Sequence, residues 1–278
     1  MRFTKRNFRI WRRAAGTELR VAGAYIGRNI ASAAELRVSF AMQIAGMMVN
    51  NIAFVLLWWL FFRAFGTING WNIEEMIALQ GFVALVFGIV FSFFSGADEL
   101  PNAIHTGAFD SVLLTPRNLY ARIFTLTTRV SAIGDIFFGI LLLGAYWFFS
   151  HPSAGQIFAL GTLILPAALI MMNFLLTTAC IGFFIHDATE IAKFGFESMF
   201  GPSLYPAGMF QGFMRFFFIF ILPALAIGGI PVEAVQSWSV LKIAVVWLVA
   251  ALWIVIAVWV LRKGVRRYES GNLTGARI

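Results

Sequence analysis

Apolar residues in this chain gather in long runs separated by short polar or basic stretches. A bilayer core of about 30 Å needs roughly 20 apolar residues of helix. Runs of that length lie at Ser39 to Phe65, Met76 to Phe94, Ser131 to Phe149, Ile157 to Ile185, Gly208 to Ile227 and Leu241 to Leu261. The pattern predicts six transmembrane helices. Basic residues crowd the segment from Arg2 to Arg37 and the tail from Arg262 to Arg277. The loop Ser95 to Val130 carries Arg117, Arg122 and Arg129, whereas Gly66 to Glu75 and Ser150 to Gln156 have no Lys or Arg. Lys and Arg accumulate on the cytoplasmic side of membrane proteins, so both termini are expected there, consistent with an even number of spans. Trp58, Trp59, Trp71, Trp147 and Trp238 suit an interfacial aromatic belt, with ring stacking on a ligand as the other use.

Before the first run, Leu19, Ala22, Ile26, Ile30 and Ala33 recur at spacings of three and four, with Arg12, Arg13, Arg20 and Arg28 mostly off that stripe. This predicts an amphipathic helix at the cytoplasmic interface. The expected organisation is an amphipathic N-terminal segment (1–37), a single transmembrane domain (38–262) and a cytoplasmic tail (263–278). No stretch between spans exceeds 37 residues, too short for a soluble domain to fold alone without staples. No internal repeat and no inverted pair of broken helices of the kind found in many secondary transporters is visible. Asn72-Ile73-Glu74-Glu75 resembles a capping box that starts the second span.

Composition agrees with lipid as solvent: 60% of residues are hydrophobic and 12% charged, against about 25% charged in soluble domains. The formal charge of +8 is accounted for by the cytoplasmic face and anionic lipid, without invoking nucleic acid. Cys180 is alone, which excludes an intramolecular disulfide and a thiolate cluster. A cleavable signal peptide is not expected, because no apolar run of roughly 7 to 15 residues interrupts the basic region before Arg37.

Chemistry is sparse. There is no G-x-x-x-x-G-K-[ST], G-x-G-x-x-G or H-E-x-x-H, hence no phosphate cradle and no zinc-protease helix. His105, His151 and His186 fall on loops of differing sidedness and read as solvated residues, so no metal site is expected. The sequon at Asn272 lies in the cytoplasmic tail. Ionisable residues inside spans are Asp135, Arg215 and Lys242; the simplest reading sends Arg215 to the inner interface and Lys242 to the outer one. In the first span Gln43, Met47, Asn50, Asn51 and Phe54 share a helical face. That stripe either lines a substrate route or makes interhelical hydrogen bonds. Ala84, Gly88, Ser92 and Gly96 form a smooth ridge that lets another helix come close, within the chain or in a dimer.

The most informative loop runs from Asp98 to Leu119. Asp98, Glu99 and Pro101 suit a helix start and Gly107 its stop. Phe109 to Leu114 then predicts a second short apolar turn ending at Pro116, and its Phe, Val and Leu side chains have little to bury themselves in unless a partner supplies a groove. Here the chain resembles the six-span membrane subunits of type-2 ABC transporters. Gly107, Asp110, Leu113, Leu114, Pro116 and Asn118 match the pattern G-x-[LI]-D-x-x-L-L-x-P-[VI]-N of one bacterial permease subfamily. Tyr205-Pro206, Arg215, Leu222-Pro223, Ile230-Pro231 and Gly70-Trp71 are similar to that subfamily's other short motifs, whereas Thr115 and Ala108-Phe109 depart from it.

The resemblance implies an all-α type-2 ABC exporter fold and an inner-membrane permease that hydrolyses no ATP itself. A second permease subunit, identical or homologous, would share the pathway, and two separate ATPase subunits would hold ATP and Mg. The loop 95–130 would be the coupling loop, with Asp98, Glu99, Gly107, Phe109, Asp110, Leu113, Leu114, Pro116 and Arg117 meeting the ATPase. The N-terminal amphipathic helix would touch it too, and the segment 223–238 would form outer re-entrant helices. Gln43, Met47, Asn50 and Asn51 are the candidate substrate path. The chain itself is expected to hold no cofactor. Two rivals stay open: an ion-coupled secondary transporter, which would depend on Asp135, and a lipid-modifying membrane enzyme, for which His186 to Glu190 is the candidate cluster.

Overall fold

The computed structural model describes residues 20–32, 34–35, 37–114, 118–185 and 188–268, and among these no strand occurs. Helix α1 (20–32) precedes α2 (Arg37–Phe65) and α3 (Ile73–Phe94). Three short helices follow, α4 (Leu100–His105), α5 (Phe109–Leu113) and α6 (Leu119–Phe124), before the long α7 (Ile133–Ser150) and α8 (Ala154–Ala179). Then come α9 (Thr189–Ser203), the short α10 (Gly212–Phe220), α11 (Ala224–Ile227) and α12 (Gly229–Gln236), and finally α13 (Val240–Arg267).

Five stretches are long and apolar enough to cross a membrane: Arg37–Phe65, Ile73–His105, Val130–Ser150, Ala154–Phe183 and Val240–Arg267. They correspond to five of the six predicted spans. The sixth, Gly208 to Ile227, is not one helix. Pro206 cannot continue a helix, Gly212 adopts φ +52°, and Pro223, Gly228 and Gly229 break the chain again into α10, α11 and α12.

The pass between the two ends of the bundle is made instead by α9, whose Glu190, Lys193 and Glu197 hide it from a search for apolar runs. It lies antiparallel to α3: Phe196 meets Phe91 at 5.4 Å, Phe200 meets Phe87 at 4.6 Å, and Gln80 Nε2 donates to the Leu204 carbonyl at 2.9 Å. From Leu204 the chain reaches Gly208, whose carbonyl accepts from Asn69 at 3.1 Å on the α2–α3 turn. The run α10 to α12 then folds back: a Cβ at Gly228 would lie 2.5 Å from the Ser203 carbonyl oxygen and 2.7 Å from Val83.

Glycine decides how closely α3 and α7 approach. A Cβ on Gly88 would meet the Ile136 nitrogen at 2.6 Å, and one on Gly139 would meet the Leu85 nitrogen at 2.6 Å. The small-residue ridge read from Ala84 to Gly96 is therefore an intrachain seam. The capping box is present: Asn72 Oδ1 accepts from the Glu75 N–H at 2.9 Å, and Glu75 Oε2 accepts from the Asn72 N–H at 2.8 Å. Ser153 and Gln156 build a second box at the start of α8.

Two of the tryptophans expected in an interfacial belt are inside the protein. Trp58 packs edge-on against Tyr205 at 5.6 Å and Trp71 lies beneath Gly208, because the turn after α9 folds over both. Trp59, Trp147 and Trp238 are exposed. Helix α2 is the least integrated of the long helices; only Trp58 and Phe62 are buried on it.

Candidate functional site

At the end where Arg37, Arg122, Arg129 and the last turn of α13 gather, the chain between α3 and α7 forms a compact hairpin. A 3-10 turn (Ser95–Glu99) leads into α4, whose second residue is Pro101, and Gly107 at φ +76° reverses the chain into α5. Helix start and stop thus fall where the proline and glycine place them. Gly96 permits the base of the hairpin: its Cβ would lie 2.1 Å from the Ile123 carbonyl oxygen, so α6 packs on bare backbone there. Asp98 pairs with Arg129, whose guanidinium also lies 4.7 Å over the Phe91 ring. Ser95 Oγ donates to the Thr127 carbonyl at 3.0 Å.

Phe109 departs from expectation. Read as exposed, it is 0% exposed, edge-on to Phe183 at 5.4 Å and to Tyr268 at 5.2 Å. Phe183 in turn fills the space left by Gly264, where a Cβ would meet its ring at 2.3 Å. Phe109 therefore locks the hairpin to the ends of α8 and α13 and is withdrawn from any partner surface. Val112 is buried as well. Apolar surface remains on Leu113, 39% exposed, and Leu114, 84% exposed. Glu99 is also exposed, and Gly107 and Asp110 are half-buried at the turn. Pro116 and Arg117, two further expected contacts, lie outside the described residues, as do Thr115, His186, Asp187 and Asn272.

Behind the hairpin, α6 is fixed by a contact that no motif announced. The Tyr120 hydroxyl donates to Asn173 Oδ1 at 2.5 Å, and Asn173 Nδ2 donates to the Leu169 carbonyl at 2.7 Å. Burial pushes the Tyr120 phenol up from its ordinary pKa, only partly offset by this hydrogen bond. Asn118 caps α6, its Oδ1 accepting from the Tyr120 N–H at 3.0 Å. Helix α1 lies against the same region: Asn29 Nδ2 donates to the Leu126 carbonyl at 3.5 Å and Arg122 sits 5.0 Å over the Tyr25 ring. On α1, Ala22, Ile26 and Ile30 are half-buried while Arg20 and Arg28 are exposed, as an amphipathic stripe requires. Arg12, Arg13, Leu19 and Ala33 lie outside the described residues.

The polar stripe of α2 splits in two. Gln43 is exposed toward the basic end, where its Nε2 donates to Ser39 Oγ at 3.2 Å. Met47, Asn50, Asn51 and Phe54 instead line a cavity of about 130 Å³ closed by α3, α7 and α9. Asn51 Nδ2 donates to Asp135 Oδ1 at 2.5 Å.

At the opposite end, Glu233 on α12 receives Arg215 at 2.6 Å and Lys242 at 3.1 Å. Arg215 thus does not snorkel to the inner interface; once Gly208 to Ile227 is broken into short helices, it shares an end with Lys242. Glu233 itself was invisible as a partner, because charge pairing across a folded-back segment leaves no spacing signal.

Among the described residues no group of His, Cys, Asp and Glu is placed to hold a metal ion. No curated protein and no solved structure matches the chain. A family model does: that of the ABC-2 family transporter proteins, over residues 48–272. The chain is therefore a member of the ABC-2 transporter family, a multi-pass, all-α membrane permease whose relatives work together with ATPase subunits.

Proposed function

We propose that this chain forms, with a second permease subunit, the translocation pathway of an exporter driven by two separate ATPase subunits. The observation that carries the reading is the α4–α5 hairpin. It is clamped to α8 and α13 by Phe109, Phe183 and Tyr268, yet it presents Leu113 and Leu114 outward. A rigid apolar tip of this kind suits a groove on a soluble partner, and a hairpin packed on the long helices transmits a push to them. The basic end is then cytoplasmic and the membrane is the bacterial inner membrane. ATP-driven closure of the ATPase pair would shift the two permease subunits between inward and outward access.

The sparse burial of α2 supports a second permease copy or homologue against it. Hydrolysis of ATP, with its Mg, belongs on this reading to the partner chains. The α10–α12 segment serves as a re-entrant outer cap, with Glu233 holding α10 and α13 together. Native mass spectrometry of the gently solubilised complex tests the assembly. Two permease-sized chains with two ATPase chains are expected, whereas a reproducible complex without ATPase would overturn it. Asp110→Ala and Pro116→Ala should lower transport-coupled ATPase activity without dissolving the membrane fold.

A further inference from the structure

Asp135 has no role in the coupling described above, and its surroundings are unusual for a carboxylate inside a helical bundle. It is 2% exposed. One oxygen, Oδ1, accepts from Asn51, while Oδ2 is buried without a hydrogen-bond partner among the described residues. A buried carboxylate kept only as a tether between α2 and α7 would be expected to have both oxygens satisfied, since each unpaired polar atom in a low-dielectric interior is costly. Asp135 instead lines a cavity with no Lys or Arg among the described residues.

The walls of that cavity are aromatic on several sides. Phe54 from α2, Phe87 from α3, Phe138 from α7 and Phe200 from α9 line it, and Asn50 adds a side-chain amide. A carboxylate facing aromatic rings is the arrangement that attracts an organic ammonium group, by direct charge pairing and by the negative faces of the rings. An anion would be repelled, and a neutral ligand would leave the carboxylate uncompensated. The volume of about 130 Å³ is roughly ten times the ~10–15 Å³ that admits one water, so it accommodates a small cationic head and not a bulky ring system. Asn50 is exposed, so the cavity has a way out beside α2 for the rest of an amphiphile.

We propose that this cavity binds the cationic head of an organic ammonium ion, with Asp135 as its counter-ion, Asn51 as the residue that positions the carboxylate, and Phe54 as one of the rings facing the cation. That such an ion is carried across the membrane rests on the exporter reading above; that it binds does not.

The test is isothermal titration of choline, a quaternary ammonium without a ring, into the full-length chain in nanodiscs, with empty nanodiscs as blank and its uncharged isostere 3,3-dimethylbutan-1-ol as control. Saturable binding of the cation is expected, with none for the isostere. Asp135→Asn should weaken it roughly tenfold or more, and Phe54→Leu, which leaves the carboxylate in place, roughly threefold or more. Asp135→Glu, which keeps the charge, should retain most of the affinity. Absence of saturable binding to the wild-type chain would overturn the proposal, and so would equal affinity in Asp135→Asn and Phe54→Leu variants that elute as folded protein. If the complex proves to lack an ATPase while binding persists, the exporter reading fails and this site stands. If the ATPase is present and binding is absent, the reverse holds.

Discussion

The α4–α5 hairpin and helix α10, at opposite ends of the molecule, are held by different physics. At the basic end, the α4–α5 hairpin is joined to the long helices by ring packing, Phe109 between Phe183 and Tyr268, and by glycines at 96 and 264 that admit backbone or ring at close range. At the opposite end, α11 and α12 are buried in the core, whereas α10 is tied to α12 through one carboxylate, Glu233, shared between Arg215 and Lys242, and exposes Phe213, Met214 and Phe216. Packed rings have one good arrangement and resist sliding. Ion pairs with partly exposed partners are weaker and exchange readily with water. The contrast fits a stiff lever at one end and, at the other, a short outer helix, α10, that can rearrange on a fixed α11–α12 base.

The contrast can be broken most severely at Phe109. Replacing it by Ala removes a fully buried ring from the centre of its cluster, for which about 3–5 kcal/mol is typical of aromatic truncation. The expected result is a large drop in thermal stability together with loss of ATPase co-purification; wild-type stability would mean that the hairpin is not clamped. Next in size is Gly96→Val. Its Cβ would sit 2.1 Å from the Ile123 carbonyl oxygen, so α6 must move, at a cost of about 1–3 kcal/mol, read as a lower midpoint in thermal unfolding of the solubilised protein.

Glu233→Gln sharpens the comparison from the other side. Arg215 and Lys242 are each 33% exposed at the side chain, so loss of the two pairs should cost only about 1 kcal/mol, less at high salt. Greater protease sensitivity of α10 with an unchanged basic end is the outcome that matches. The smallest stability effect is expected for Leu114→Ser. An exposed leucine contributes within about 0.5 kcal/mol, yet this variant should lose most ATPase association, measured by pull-down.

Much of this is legible in local features of the sequence. Five spans, both capping residues of α3, the glycine ridge and the hairpin from Pro101 to Gly107 all rest on local signals: length of apolar run, Asn-x-x-Glu spacing, and the backbone freedom of glycine. What stayed hidden depends on contacts distant in sequence. Phe109 looks like any exposed loop aromatic until Phe183 and Tyr268 are brought to it. Helix α9 carries three charged residues and is short, so a hydropathy window passes over it and settles on Gly208 to Ile227, where apolar residues are dense but prolines and glycines forbid one helix. The same holds for the cavity. Asn50 and Asn51 are visible as a stripe on α2, but that Asp135 faces them and Gln43 does not emerges only from the packing of α2 on α7.

The most direct single measurement is site-specific photocrosslinking in native membranes, with a benzophenone amino acid placed at Leu114 and, in a separate protein, at Met214. A hairpin that docks an ATPase predicts a heavy adduct containing an ATPase chain from position 114 and none from position 214. No ATPase adduct at 114, or equal adducts from both ends, would contradict it.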